Sequence, residues 1–125
     1  MTNNNWYHEK LMDHYRHPRH CGLVEQPDFS SQSLNPSCGD SVQFAGKLQG
    51  TTVAKVGFEG KGCVISQASA SMLAEHVVGK TVDDVLKVST QDMLGLVGLE
   101  LGPNRMRCAL LALEALQGAL RAQVA

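Results

Sequence analysis

The sequence predicts an α+β fold, a small three-stranded antiparallel sheet with helices packed on one face. Two patterns point there: strand-like runs are grouped ahead of a long series of helical runs, and no strand–helix–strand alternation of the kind that builds a parallel sheet occurs. The length of 125 residues fits one domain over 1–125, since a chain of that size buries roughly two-thirds of the surface it exposes when unfolded. Hydrophobic residues make up 43%, yet there are only one Trp, two Tyr and three Phe. The core is therefore expected to rest on Leu, Val, Ala and Met.

Taken in order, a first helix is expected from about Asn5 to His17, where Tyr7, Leu11 and Tyr15 recur at i+4 steps and Pro18 stops the run. Cys21 to Gly39 is rich in breakers, with Gly22, Pro27, Asp28, Asn35 and Pro36, and admits one short edge strand before Asn35. Val42, Phe44 and Leu48, a turn at Gln49-Gly50, then Val53, Val56 and Phe58 read as an antiparallel hairpin. Its imperfect alternation leaves the register open. From Ser66, Ala68, Met72, Leu73, His76 and Val77 share a helical face, and Gly79 sits where a left-handed cap belongs. Thr81-x-x-Asp84 and Ser89-x-x-Asp92 resemble capping boxes opening two short helices, closed by Gly98 and Gly102-Pro103. Asn104 then caps a last helix, with Met106, Leu110, Leu113, Leu116 and Leu120 as an apolar stripe. Cys108, Ala112, Ala115 and Ala119 form a second face of small residues suited to close packing.

Eleven basic and twelve acidic side chains leave a net charge of −1, without the basic excess that binds phosphates, so nucleic acid is not an expected partner. No apolar run approaches the ~18 residues of a membrane span, and no membrane partner is expected. Met1 to Lys10 has neither the order of a signal peptide nor the Arg-rich pattern of a transit peptide. The expected compartment is the cytoplasm, where thiols stay reduced. Four cysteines then read as ligands or nucleophiles before bridges.

Cys38 falls in an Asn-Pro-Ser-Cys-Gly-Asp turn, Cys63 between the hairpin and the second helix, and Cys108 in the first turn of the last helix. The latter two are near helix N-termini, where the dipole favours a thiolate. Asp40, with Gly39 between it and Cys38, can turn toward the same point because glycine permits unusual backbone angles. Three sulfurs and one oxygen would suit zinc or an iron–sulfur cluster, the oxygen being the more easily displaced corner. Spacing alone leaves an equal alternative: gaps of this size match no compact metal signature, and scattered cysteines are often core residues.

The local words favour the site. His8-Glu9-Lys10-Leu11-Met12-Asp13-His14-Tyr15 with His17-Pro18-Arg19, Asn35-Pro36-Ser37-Cys38-Gly39-Asp40, Phe58 to Ser71 around Gly62-Cys63, and Arg105-Met106-Arg107-Cys108-Ala109-Leu110-Leu111 together resemble the U-type iron–sulfur cluster scaffold family, that is IscU, SufU and the N-terminal part of NifU. The resemblance runs from about Trp6 to Leu120. It implies an α+β sandwich of the SufE/IscU type with the site at an exposed tip. It also implies Cys38, Asp40, Cys63 and Cys108 as ligands of a [2Fe–2S] cluster or of zinc, and the three cysteines as candidate sulfur acceptors. The implied role is a scaffold rather than an enzyme, with a cysteine desulfurase, an iron donor and recipient apo-proteins as partners. The alternative is a zinc-bound SufU-type sulfurtransferase.

The chain departs from the family at three places. Arg107 stands where IscU-type members carry His, as in SufU-type members. The insertion that SufU-type members carry before the last helix has no room between Gly98 and Asn104. Leu101-Gly102-Pro103-Asn104-Arg105 replaces the word a DnaK-type chaperone reads, which puts chaperone-assisted transfer in doubt. Arg105, Arg107 and Lys61 read either as solvated charges or as an offset to the negative charge of a bound cluster or persulfide. His8, His14, His17 and His20 read as surface residues, Cys21 as a spare thiol, and the glycines of Gly60-Lys61-Gly62 as room for backbone N–H groups to approach sulfur.

Overall fold

The computed structural model describes residues 2–35 and 39–124. Three antiparallel strands, β1 (Phe29–Asn35), β2 (Asp40–Gln49) and β3 (Thr52–Lys61), form one sheet in the order β1-β2-β3. The register places Phe44 opposite Phe58 and Gly46 opposite both Phe29 and Val56. Phe29, Val42, Phe44, Val56 and Phe58 therefore share one face, because side chains alternate along a strand, and all five are buried. Gly46 is required there: a Cβ would collide with the Phe29 ring. The register left open by the sequence runs regularly from Ser41 opposite Lys61 to Lys47 opposite Lys55 and shifts between Lys47 and Leu48, where the Leu48 N–H turns to the Asp28 carboxylate at 2.8 Å.

Helix α2 (Val64–Val77) packs on β3 and β2, and α5 (Pro103–Val124) on β1 and β2, while the two helices also touch each other. Of the expected faces of α5, Cys108, Ala112, Ala115, Ala119, Leu113, Leu116 and Leu120 are buried and Met106 and Leu110 half-buried, while Ala109 and Leu111, outside both expected faces, are buried as well. Each fully buried leucine contributes about 1.5–3 kcal/mol. Helix α1 (Thr2–Arg16) lies against α2, and the short α3 (Val82–Leu86) and α4 (Thr90–Val97) brace α5. The predicted caps are present: Thr81 accepts from the Asp84 N–H, Ser89 and Asp92 form a reciprocal capping box, and Gly98 closes α4 at φ 82°. Buried Gln117 of α5 donates to the Val85 and Val88 carbonyls at the end of α3, at 3.1 and 2.8 Å, satisfying acceptors the short helix leaves over.

The outer edge of β3 is covered. The Phe58 N–H and C=O pair with His20 and Gly22, and Val53 pairs with Gly79 and Lys80 just beyond α2. Among the described residues no helix is long and apolar enough to cross a membrane.

Two helical faces differ from expectation. Tyr15 is exposed and His14 is buried, while His76 of α2 is exposed. Successive i+4 steps drift by about 40° around a helix of 3.6 residues per turn, so a run of two such steps rotates out of the contact that Tyr7 and Leu11 begin. His14, three residues beyond Leu11, stays in it. The other described histidines of that group, His8, His17 and His20, are exposed. Also, α1 begins at Thr2 and α5 at Pro103, ahead of Asn104, because a proline in the first turn of a helix forfeits no hydrogen bond.

His14 Nδ1 lies 2.8 Å from the Ser71 hydroxyl, which also accepts the Arg19 N–H at 2.8 Å. Burial holds the imidazole below its ordinary value of 6.5, with Arg19 adding to the effect and Glu75 opposing it. The folded state therefore binds fewer protons here than the unfolded one near pH 6.5, and stability present above that pH is lost as the pH falls below it. Urea unfolding midpoints are expected to drop between pH 7.5 and 5.5, with a smaller drop in His14→Gln.

Candidate metal centre

Asp40 opens β2 directly after Gly39, which stands at φ 74° with its N–H donating to the Asn35 carbonyl at 2.9 Å. This is the backbone freedom expected of that glycine. Asp40 is only 3% exposed. Across the sheet end, Cys63 is the N-cap of α2 and is exposed, and no side chain caps the helix there. The Cys63 N–H donates to Asp40 Oδ1 at 3.1 Å, and its Sγ stands 3.4 Å from Oδ2. Ser66, fully buried one turn into α2, donates to the Cys63 carbonyl at 3.1 Å.

Gly62 makes this approach possible. It sits at φ 134°, and a Cβ on it would fall within the Asp40 carboxylate. The expectation for Gly60-Lys61-Gly62 is thereby corrected in its target: the glycine admits the carboxylate, and the neighbouring N–H serves a carboxylate oxygen rather than sulfur. Gly60 makes room for the Ser41 carbonyl and the Gln67 amide.

The third participant is Cys108, only 6% exposed. The ligand atoms of Asp40, Cys63 and Cys108 all lie within 4.8 Å of one another. Of the predicted set, Cys38 lies outside the described residues. Cys21 stands apart as an exposed thiol in the segment that bridges to Phe58.

One electrostatic expectation is reversed. Because α5 starts at Pro103, Cys108 lies in its second turn rather than its first, where few free N–H groups remain to favour a thiolate. Burial, followed by the hydrogen bonds and negative charge of Asp40 and Cys63, pushes its thiol well above the ordinary thiol range. The proton stays on Cys108 at neutral pH until something replaces it.

The pair of cysteines opens into a cleft of about 740 Å³ floored by Leu11, Met12 and Ile65 and edged by Arg105 and Arg107. The two arginines are exposed yet share the cleft with the sulfurs, while Lys61 is exposed outside it. Leu99 and Leu101 also line the cleft; the sequence reading passed over Leu99 and took Leu101 only as part of the segment in place of a chaperone word. Their alternation with polar neighbours between two helices was the available signal.

Two outcomes follow. In metal-free protein, iodoacetamide is expected to modify Cys63 well before Cys108, as read by time-resolved peptide mass spectrometry. Gly62→Ala, which must strain the backbone or expel the Asp40 carboxylate, is expected to lower unfolding free energy by about 1–3 kcal/mol in denaturant titrations.

Known proteins resemble this chain in sequence and in fold. The sequence model of the family described as NifU-like N terminal domain matches residues 6–123. The zinc-dependent sulfurtransferase SufU of Bacillus subtilis is 34% identical, with 89% of this chain and 86% of that protein aligned. The iron–sulfur cluster assembly scaffold protein IscU of Aquifex aeolicus is also 34% identical, over 92% of this chain and 74% of its own length. The crystal structure of FiSufU from Fervidobacterium islandicum, described as a putative scaffold protein for the SUF system, superposes with a TM-score of 0.76 at 30% identity, covering 90% of this chain and 94% of the other. With its three-stranded sheet, its helices and its Asp-Cys-Cys cluster, the chain belongs to the family of NifU-like N-terminal domains.

Proposed function

We propose that this chain is a scaffold for iron–sulfur cluster assembly: it receives sulfur from a cysteine desulfurase and iron from a donor, builds a [2Fe–2S] cluster, and hands it to apo-proteins. The observation that carries the reading is the meeting of Asp40, Cys63 and Cys108, from three different elements, within 4.8 Å at one end of the sheet. The reading adds Cys38 as the fourth ligand from its place in the word ending at Asp40. The name of the Aquifex aeolicus relative supports the scaffold role.

The donor chemistry fits. Thiolates select iron–sulfur clusters and zinc, and a carboxylate is the harder, more exchangeable partner. Two sulfurs on one tetrahedral metal, each bonded at about 2.3 Å, stand about 3.8 Å apart. A group within 4.8 Å therefore closes on a metal with side-chain movement of about an ångström. The Cys63 N–H holds Oδ1 of Asp40 and so turns Oδ2 toward the sulfur. Arg105 and Arg107, on the rim of the cleft, offset the negative charge that thiolates and bridging sulfide bring.

A second reading, a zinc-bound sulfurtransferase accepting persulfide sulfur, is favoured by Arg107 and by the name of the Bacillus subtilis relative. Zinc would be held by the same residues and would keep their thiols deprotonated.

Anaerobic loading with ferrous iron and sulfide is expected to give visible charge-transfer absorption and the iron content of one [2Fe–2S] cluster per chain, lost in Cys63→Ser and Cys108→Ser. Zinc that iron and sulfide cannot displace would sink the scaffold reading in favour of the second. Because Cys108 must surrender a firmly held proton, loading is expected to release protons and to weaken as the pH falls. Titration in weakly buffered solution with a pH indicator reads this directly.

A further inference from the structure

We propose that a cavity on the outer face of the sheet, at the end away from the metal centre, binds a small phosphate monoester between Lys47 and Lys55. The proposal stands apart from the scaffold reading. Lys47 lies seven residues along β2 from Asp40, roughly 23 Å at the usual rise of a strand.

The register sets Lys47 and Lys55 directly opposite each other. Their neighbours Gly46 and Val56 belong to the face that carries Phe29, Phe44 and Phe58, so alternation turns both lysines to the other face. Directly opposed side chains start about 4.5–5.5 Å apart at Cβ, and like charges so placed weaken a sheet. No carboxylate offsets them: among the described residues the ion pairs involve only His14 and Arg19 with Asp13 and Glu75. Asp28, next to β1, gives its carboxylate to the Leu48 N–H. One dianion set between the two ammonium groups removes the repulsion.

The chain builds a space for it. His20 and Gly22 bond to Phe58 at the margin of β3, and the chain then has to reach β1 at the opposite margin, where the Asp28 N–H meets the Gly46 carbonyl. The crossing lies close on the sheet at Gly57, where a Cβ would strike the Gly22 carbonyl. Beside that contact a cavity of about 690 Å³ stays open, lined by Lys47, Lys55, Val24, Ala54, Val78 and Glu25. Its size is that of a small-molecule site.

The lining selects the ligand. A phosphate monoester carries close to two negative charges at pH 7, and lysine meets phosphate as a compact point charge. Val24, Ala54 and Val78 give an apolar wall to the carbon body of the ester. The Glu25 carboxylate repels further anionic groups and accepts a hydroxyl or an ammonium on that body. The class is therefore a monoester with a short polar carbon chain rather than a polyphosphate.

The test titrates the full chain calorimetrically, at low ionic strength, with O-phosphoethanolamine, inorganic phosphate and pyrophosphate. O-phosphoethanolamine is expected to bind one site per chain, about tenfold more tightly than the other two. Lys47→Gln and Lys55→Gln should each weaken it by about tenfold or more, the loss of one charge-assisted contact. Cys21 also lines the cavity and is exposed. Saturating O-phosphoethanolamine should therefore slow its alkylation by iodoacetamide while Cys63 reacts at an unchanged rate, a readout that needs no substitution. No binding at millimolar concentration, inorganic phosphate or pyrophosphate bound as tightly, unchanged affinity in both lysine variants, or Cys21 left unprotected would each overturn the proposal. Cluster loading with iron and sulfide reports on the scaffold reading alone.

Discussion

The carboxylate of Asp40 is the joint on which this architecture turns. It begins β2, it accepts the backbone N–H of the residue that caps α2, and it occupies the space that Gly62 leaves empty at the end of β3. A buried carboxylate is costly unless it is hydrogen-bonded, so its presence obliges the β3–α2 corner to stay closed around it. That obligation brings Cys63 beside it, and α5, packed on the same face of the sheet, delivers Cys108 from the other side. Fold and site are thus one constraint: displacing the carboxylate loosens the corner and scatters the donors.

Much of the fold was legible in the sequence because its signals are local. Thr81 and Ser89 announced their helices through capping residues three positions on, Gly79 and Gly98 marked left-handed ends, and the alanine positions of α5 marked by their spacing a face suited to close packing. What was not legible depends on partners distant in sequence. The burial of His14 in place of Tyr15 follows from how α1 lies on α2 and from the Ser71 hydroxyl waiting there. The break in strand register falls where Asp28 accepts the Leu48 N–H, a contact no alternation pattern encodes.

The site divides in the same way. Asp40, Cys63 and Cys108 stood out through the words around them, and the words stated that they belong together without stating how. The reversal at Cys108 shows what was missing. Proximity to a helix start suggested a ready thiolate, but one turn of difference and a covering of side chains give a protonated thiol. Electrostatic character is set by depth, and depth comes only from tertiary packing.

The bonding around β3 has a consequence for assembly with other chains. Its outer edge is met by His20 and Gly22 near Phe58 and by Gly79 and Lys80 near Val53, so an incoming strand finds those two positions already taken. The other margin of the sheet, β1, presents the polar Ser30, Ser31, Gln32 and Ser33 beside one exposed large apolar side chain, Leu34. A strand approaching along β3 is thereby turned away at both of those positions, and a pairing partner is left with the polar margin of β1.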